Sequence, residues 1–404
     1  MMMAIMTVAL AANKPYIARV LDYCPAPGQF VNVIPAMAEG EPKDSVLARA
    51  ERLICGYEKI EEGLLPGGDV YRDTTTVIAD GMITLGACGG YVVFAFDHPV
   101  VNVEGEYDFQ VLGNSFLADS ITTTAGSSEP GIVMVSVDAN GNGLADDAWY
   151  ELAGSEYDNP KTQHDYVITY YKPDPNKTPD AVPPFLLDAT YVRWTSNDVD
   201  SLQEGYIEKN AFHKQSYWPM WLDDQETITF EMCKLPCNGF KTVNATTGAS
   251  MDVQRPYDWG YVDNRKDYKY DTPLTDDIAR TCNLGFKIDW AVDSDGNPVK
   301  LSHIDFVMVY NATNQKGGSI GEISTEVAGG FDIHPDAPLP EEPKYALGDV
   351  NADGSVNAGD ISTTYSVMLG EVDDADIIAR ADVNADGSVN AGDISNIYSI
   401  MLAE

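Results

Sequence analysis

Basic side chains are what this chain has least of beside its acids. Twenty-five Lys and Arg stand against 63 Asp and Glu in 404 residues, a formal net charge of −38. Nucleic-acid binding needs clustered Lys and Arg to meet phosphates, and no such cluster exists, so that class of partner is excluded. Long apolar runs are also missing: apart from the stretch Met1–Ala12, nothing approaches the roughly 20 apolar residues of a membrane-spanning helix. Six cysteines, at positions 24, 55, 88, 233, 237 and 282, are too few at this length for a disulfide framework. Cys233 and Cys237 lie close in sequence but lack the second pair of a zinc motif, leaving a local disulfide or two buried thiols. The five histidines (98, 164, 213, 303 and 334) are scattered, and no H-E-x-x-H occurs. What the chain does have is 44% hydrophobic and 10% aromatic residues, enough for a sizeable core and too many for a disordered acidic tail.

Met1–Ala12 reads as the apolar and small-residue part of a secretory signal without its basic front, so residues 1–13 are assigned to a signal-peptide remnant and the protein is expected outside the cell. The strongest internal signal is a repeat. Asp349–Ser362 recurs without change at Asp382–Ser395, an offset of 33 (382 − 349). Ahead of it, Pro335, Pro338, Pro340 and Pro343 among acidic residues mark residues 335–346 as an extended linker. Residues 14–334 and 347–404 are then two domains.

Within the first copy, oxygen-bearing residues occupy loop positions 1, 3, 5, 9 and 12 as Asp349, Asn351, Asp353, Asn357 and Asp360, with the Ser355 carbonyl at position 7. In the second copy they are Asp382, Asn384, Asp386, Asn390 and Asp393, with Ser388 at position 7. Gly354 and Gly387 sit at position 6, where the chain must turn sharply. Calcium takes six to eight hard oxygen ligands, and this spacing supplies them from one short loop. The terminal acid is Asp, where an EF-hand usually carries the longer Glu. Each loop runs into a matching apolar segment, Ile361–Leu369 and Ile394–Leu402. A duplicated loop–helix unit of this kind resembles the dockerin module of cellulosomes and related secreted assemblies. The resemblance covers roughly residues 347–404 and implies two bound calcium ions and a cohesin-bearing partner. At loop positions 10 and 11, where dockerins often carry recognition residues, this chain has Ala358-Gly359 and Ala391-Gly392, with no hydrogen-bonding side chain to offer.

The remaining 345 residues still carry −28, from 52 acids against 24 bases. Their texture is β: Gly90–Phe96 and Gly131–Val137 are apolar runs of strand length, and Phe286, Ile288, Trp290 and Val292 alternate with less apolar neighbours. Asp295-Gly296 then predicts a hairpin or short meander leading into Ile304–Tyr310. A helix is predicted around Ser45–Tyr57. The fold expected is mainly β, a large jelly-roll-like sandwich followed by a small helical dockerin.

Asp138, Asn140, Asn142 and Asp146, with Asp147 beside them and Gly143 at the turn, imitate the calcium loops, but position 12 is Trp149. One further calcium in the large domain is therefore an expectation, with an Asn/Gly-rich β-turn as the alternative. Asp293, Asp295 and Asn297 are read as a hairpin turn. The stretch Ser127–Tyr157, together with Gly89–Phe94, Asp97–Pro99, Trp259–Asn264 and Ile304–Phe306, resembles a family of secreted cell-surface proteins of gut Bacteroidetes. That resemblance implies an extracellular β-rich domain associated with capture of glycans or other bulky nutrients, and no defined activity.

No catalytic constellation emerges. Gly317-Gly318-Ser319-Ile320-Gly321 matches G-x-S-x-G without the strand–turn–helix context that would expose the serine. Trp149, Tyr150, His213, Tyr217, Trp218 and Trp221 are the candidate ligand-binding residues, since sugar rings lay apolar faces on aromatic platforms. The expected function is a non-catalytic, ligand-binding surface protein, with a dockerin-borne glycoside hydrolase or esterase as the alternative.

Overall fold

In the computed structural model of the protein, the residues described are 13–38, 40–55, 81–117, 125–244, 247–267, 273–318, 321–339, 345–384 and 386–403. The signal-sequence expectation for Met1–Ala12, and Ser319, lie outside them. The chain divides into two compact units, residues 1–339 and 340–404.

The large unit is mainly β. Its central sheet has six strands in the order β1 (Arg19–Cys24), β2 (Tyr91–Ala95), β10 (Phe306–Asn311), β3 (Gly131–Ser136), β4 (Trp149–Leu152) and β9 (Ala291–Val292), with every pairing antiparallel. A second, four-stranded sheet runs β7 (Glu204–Asn210), β6 (Leu186–Ser196), β5 (Gln163–Tyr171) and β8 (Thr227–Lys234). A smaller sheet joins residues 239–243, 250–254, 126–127 and 116–117.

The central sheet is covered on both faces, which is why its strands read as continuous apolar runs and not as alternation. On one face Val92, Phe94, Val133, Val135, Val307 and Val309 meet Val46, Ala50 and Ile54 of helix α1 (Lys43–Ile54). Those helical residues recur every four positions, so one stripe of α1 faces the sheet. On the other face Tyr91, Ile132, Met134, Met308 and Tyr310 meet Met232, Cys233 and Leu235, at and just beyond the end of β8. The four-stranded sheet keeps the half-buried pattern: Tyr166, Ile168, Tyr170, Val192, Ile228 and Phe230 point inward, while Thr169 and Thr229 pair their hydroxyls at 2.8 Å on the more open face.

One expected strand is not continuous. Phe286 makes only an isolated bridge to Phe109, and Ile288–Trp290 forms a 3-10 turn before β9. The cause is local: the buried Asp108 carboxylate accepts the Ile288 N–H at 2.7 Å and draws the backbone out of the extended path. The predicted meander also differs. Asp293–Asn297 is a tight turn, with the Asp293 N–H donating to the Asn297 carbonyl at 2.9 Å, but β10 lies in the middle of the sheet between β2 and β3, away from β9.

The C-terminal unit holds three helices, α3 (Ala358–Met368), α4 (Ala375–Ala381) and α5 (Ala391–Ala403); α2 (Asp276–Thr281) belongs to the large unit. Its core repeats with the sequence: Val350 and Val383, and Ile361 and Ile394, are equivalent buried pairs, joined by Val356, Ala381 and Ile397.

Candidate functional site

The two C-terminal loops fold alike because the same side chains fasten the same backbone groups. Asp349 accepts the N–H of Asp353 at 3.0 Å and of Gly354 at 2.9 Å, and Asp382 accepts those of Asp386 at 3.1 Å and Gly387 at 2.9 Å. At the far end Asp360 accepts from Asn351 at 3.0 Å and Asn357 at 2.8 Å, and Asp393 accepts from Asn384 at 3.1 Å and Asn390 at 2.8 Å. Gly354 and Gly387 have φ of +88° and +84°, the left-handed backbone that a side chain would strain. The loop is thereby curled around its acids.

Asp349, Asp360 and Asp393 are almost completely buried, yet no Lys or Arg pairs with a loop acid among the described residues. Arg380, the one basic residue from 346 onward, instead donates from Nε to the Val350 carbonyl at 3.0 Å. Buried carboxylates without a cationic partner are costly, and a donor set made only of oxygens suits a hard cation. The residues present therefore fit calcium. Asn357 and Asn390, expected as ligands at position 9, also cap the following helix, each Oδ1 accepting the N–H of Gly359 (2.7 Å) or Gly392 (2.8 Å). The glycine at position 11 also has a steric reason, since a Cβ on Gly359 would lie 2.9 Å from Asn351 Nδ2.

Apolar side chains remain outside this core in matched pairs. Tyr365 of α3 and Tyr398 of α5 are 51% and 52% exposed, and Leu369 and Leu402 are more exposed still.

In the large unit, the loop after β3 repeats the same fastening. Asp138 accepts the N–H of Asn142 at 3.0 Å and of Gly143 at 2.8 Å, and Asn142 Oδ1 accepts that of Leu144 at 2.7 Å. Asn140 and Asn142 amides turn toward Asp146 at 3.2–3.3 Å, Asp147 lies within reach of Asn140, and Gly143 has φ +74°. Asp293–Asn297 lacks this wrap: Asp293 Oδ1 accepts the Asp295 and Asn297 N–H groups, which hold its carboxyl below the usual range in an ordinary turn.

The sequence-predicted aromatic residues do not form one platform. Tyr217 and Trp218 are 0% and 2% exposed and belong to the core beneath the four-stranded sheet, with Tyr217 donating to the His213 carbonyl and Trp218 Nε1 to the Leu222 carbonyl. Trp221 stacks on Tyr23 at 5.8 Å, Tyr150 packs against the central core, and Trp149 is half-buried in β4. His213 is half-buried and meets Phe30 edge-on at 4.7 Å; burial of its ring pushes its pKa down.

A different aromatic row reaches the surface at one end, Trp259; Trp290 and Tyr107 are half-buried, and Trp290 packs against the central core. Trp259, 44% exposed, lies 4.6 Å from Trp290, which meets Tyr107 at 6.1 Å. Gly260 and Gly154 hold this row in place: a Cβ on Gly260 would come within 2.6 Å of the Gly154 Cα, so only bare backbones pack so closely. Trp259 and Trp290 are 31 residues apart (290 − 259), and the 3-10 turn that aims Trp290 is invisible to a pattern of alternation.

Buried acids also gather. Glu129, Asp263 and Glu326 bring carboxylate oxygens within 4.8 Å of one another, and burial and mutual repulsion push Asp263 and Glu326 well above the ordinary carboxylate range. Glu151, His164 and Cys233 form a second such group. A cleft of about 200 Å³ is lined by Tyr170, Trp194, Tyr206, Glu208, Lys316 and Glu322. Glu208 pairs with Lys316 at 2.6 Å, while burial raises Glu322 to about 7. All six cysteines are thiols; Cys233 is buried, Cys237 exposed, and no bond joins them.

The model of the dockerin type I domain matches residues 347–401, the paired-loop unit. No curated protein matches the chain.

Proposed function

We propose that this is an extracellular, cell-surface protein whose large unit binds a glycan and whose dockerin fastens it, in a calcium-dependent way, to a cohesin-bearing partner. The observation that carries the docking half is the pair of equivalent loops, each closed on a buried aspartate, Asp360 or Asp393, that meets no Lys or Arg among the described residues. Asp349, Asn351, Asp353, Asn357, Asp360 and the Ser355 carbonyl would hold one ion, and Asp382, Asn384, Asp386, Asn390, Asp393 and the Ser388 carbonyl the other. Bound calcium supplies the positive charge these acids lack. The matched exposed residues Tyr365 and Leu369, and Tyr398 and Leu402, offer the cohesin two apolar helix faces. That no helix among the described residues is long and apolar enough to cross a membrane agrees with attachment through a partner.

For the large unit, the exposed Trp259, backed by the half-buried Trp290 and Tyr107, supports sugar binding. Asp258, largely exposed, stands beside Trp259, and Lys287 sits over the Tyr107 ring at 5.0 Å. Aromatic faces stack on the apolar faces of sugar rings, and flanking charged groups take hydroxyl hydrogen bonds. A glycoside hydrolase is the second reading, favoured by the cleft in which Glu322, raised to about 7, could act as an acid near a second carboxylate, Glu208.

One experiment separates the two readings: glycan-array binding with a reducing-sugar assay on the full chain and on Trp259→Ala and Glu322→Gln. Binding lost in W259A without sugar release supports the binding module. Sugar release abolished by E322Q overturns it in favour of the hydrolase.

A further inference from the structure

Glu151, His164 and Cys233 come from three strands of two different sheets: β4 of the central sheet, and β5 and β8 of the four-stranded one. Their donor atoms (a carboxylate oxygen, an imidazole nitrogen and a thiol sulfur) all lie within 4.8 Å of one another. The strand register explains the meeting. Gln163 pairs with Lys234 and Tyr166 with Met232, so His164 and Asp165 together oppose the single residue Cys233. That extra residue is a β-bulge, which takes a side chain out of the regular alternation and re-aims it. The surroundings then fix the ligands. Tyr157 packs its ring on His164 at 4.6 Å, and the Cys233 N–H donates to Tyr310 Oη at 3.3 Å. Among the described residues the Glu151 carboxylate accepts no hydrogen bond and faces no cation, although burial pushes it up to about 7.

We propose that Glu151, His164 and Cys233 bind a divalent transition-metal ion of the zinc type. The donor set decides the class: calcium takes six to eight oxygens, whereas sulfur, nitrogen and one carboxylate suit zinc and its neighbours. Charge decides likewise. A thiolate, a carboxylate and a neutral imidazole together carry −2, which one divalent ion cancels in a largely buried place. The distances agree, because donors around a tetrahedral zinc stand about 3–4 Å apart, within reach of small side-chain movements from the present geometry. Two ligands are buried or half-buried and His164 is exposed, so the open fourth position faces solvent. Three protein ligands with a solvent position is the pattern of a zinc that keeps a water. The site is independent of the C-terminal loops, which offer only oxygen.

Cobalt(II) is the probe, because a cobalt–thiolate bond announces itself by a charge-transfer band in the near ultraviolet. The full chain, stripped by chelator and returned to excess calcium so that the oxygen loops are filled, is titrated with Co²⁺. The wild type is expected to take up one Co²⁺ with a thiolate band. Cys233→Ser abolishes the band, Cys237→Ser leaves it unchanged, and His164→Ala and Glu151→Gln weaken uptake by more than about tenfold. His164 is exposed, so H164A decides the matter should C233S fail to fold. Absence of a thiolate band in the wild type, its survival in C233S, or unchanged affinity in H164A overturns the proposal.

Discussion

Glu322 shows how a single buried acid makes the large unit sensitive to pH. One oxygen accepts the Gln29 N–H, the other is buried without a partner, and desolvation raises the carboxyl from an ordinary 4.5 to about 7. For a carboxyl raised on folding, the neutral form is the one the fold favours. Its contribution is therefore complete below about pH 4.5, where both states are protonated, and is lost as pH rises through about 7. The loss amounts to roughly 3 kcal/mol. Glu322→Gln keeps an acceptor for Gln29 and removes the titration, so its stability relative to wild type should grow by about 2–3 kcal/mol between pH 4.5 and 7.5. All six tryptophans lie in the large unit, so urea unfolding followed by tryptophan fluorescence reads this unit alone. Parallel stability curves for the two proteins would reject the assignment. Nothing in the sequence around Glu322 announces this, because burial comes from the walls of the fold and even the hydrogen-bond donor that partly offsets it, Gln29, is 293 residues away.

At the level of elements, legibility followed contiguity. The paired loops could be read because every expected ligand lies within twelve consecutive residues, and the structure folds both copies by the same backbone hydrogen bonds. Strands β2 and β3 were also legible, as apolar runs covered on both faces, and α1 from its four-residue spacing. The Phe286–Val292 run misled because one buried aspartate, Asp108, reshapes it from outside. Tyr217 and Trp218 looked like a binding cluster by proximity in sequence but fill the core, and the row of Trp259, Trp290 and Tyr107, with Trp259 at the surface, joins three distant segments. The meeting of His164 and Cys233 depends on a bulge, a shift of register that alternation cannot show. The Asp138 loop lies between these cases. It repeats the first half of the dockerin fastening but lacks a terminal acid at position 12, so Asp146 and Asp147 would have to complete the ligand set. If it holds calcium, calorimetric titration of the full chain gives three calcium ions and Asp138→Ala gives two, since Asp138 is the residue that curls the loop. Identical stoichiometry in the two proteins would leave the loop a turn.

For the molecule as a whole, the acid has separate roles in the two units. The C-terminal unit places aspartates on repeated loops, and from residue 346 onward Arg380 is the one basic residue in the sequence. The large unit spreads its acid over surface, a cleft and the cluster of Glu129, Asp263 and Glu326, and presents Trp259 to the outside. The two units should accordingly respond differently to loss of calcium. The small core around Val350, Ile361, Ile394 and Ile397 has little apolar area to oppose the repulsion of Asp349, Asp360 and Asp393. The central sheet of the large unit draws its stability from a much larger core. Amide hydrogen exchange of the full chain with calcium, and again with excess chelator, tests this most directly. The account predicts that chelation strips protection from α3 and α5 while β2, β3 and β10 keep theirs. Helices α3 and α5 equally protected in both conditions would contradict it.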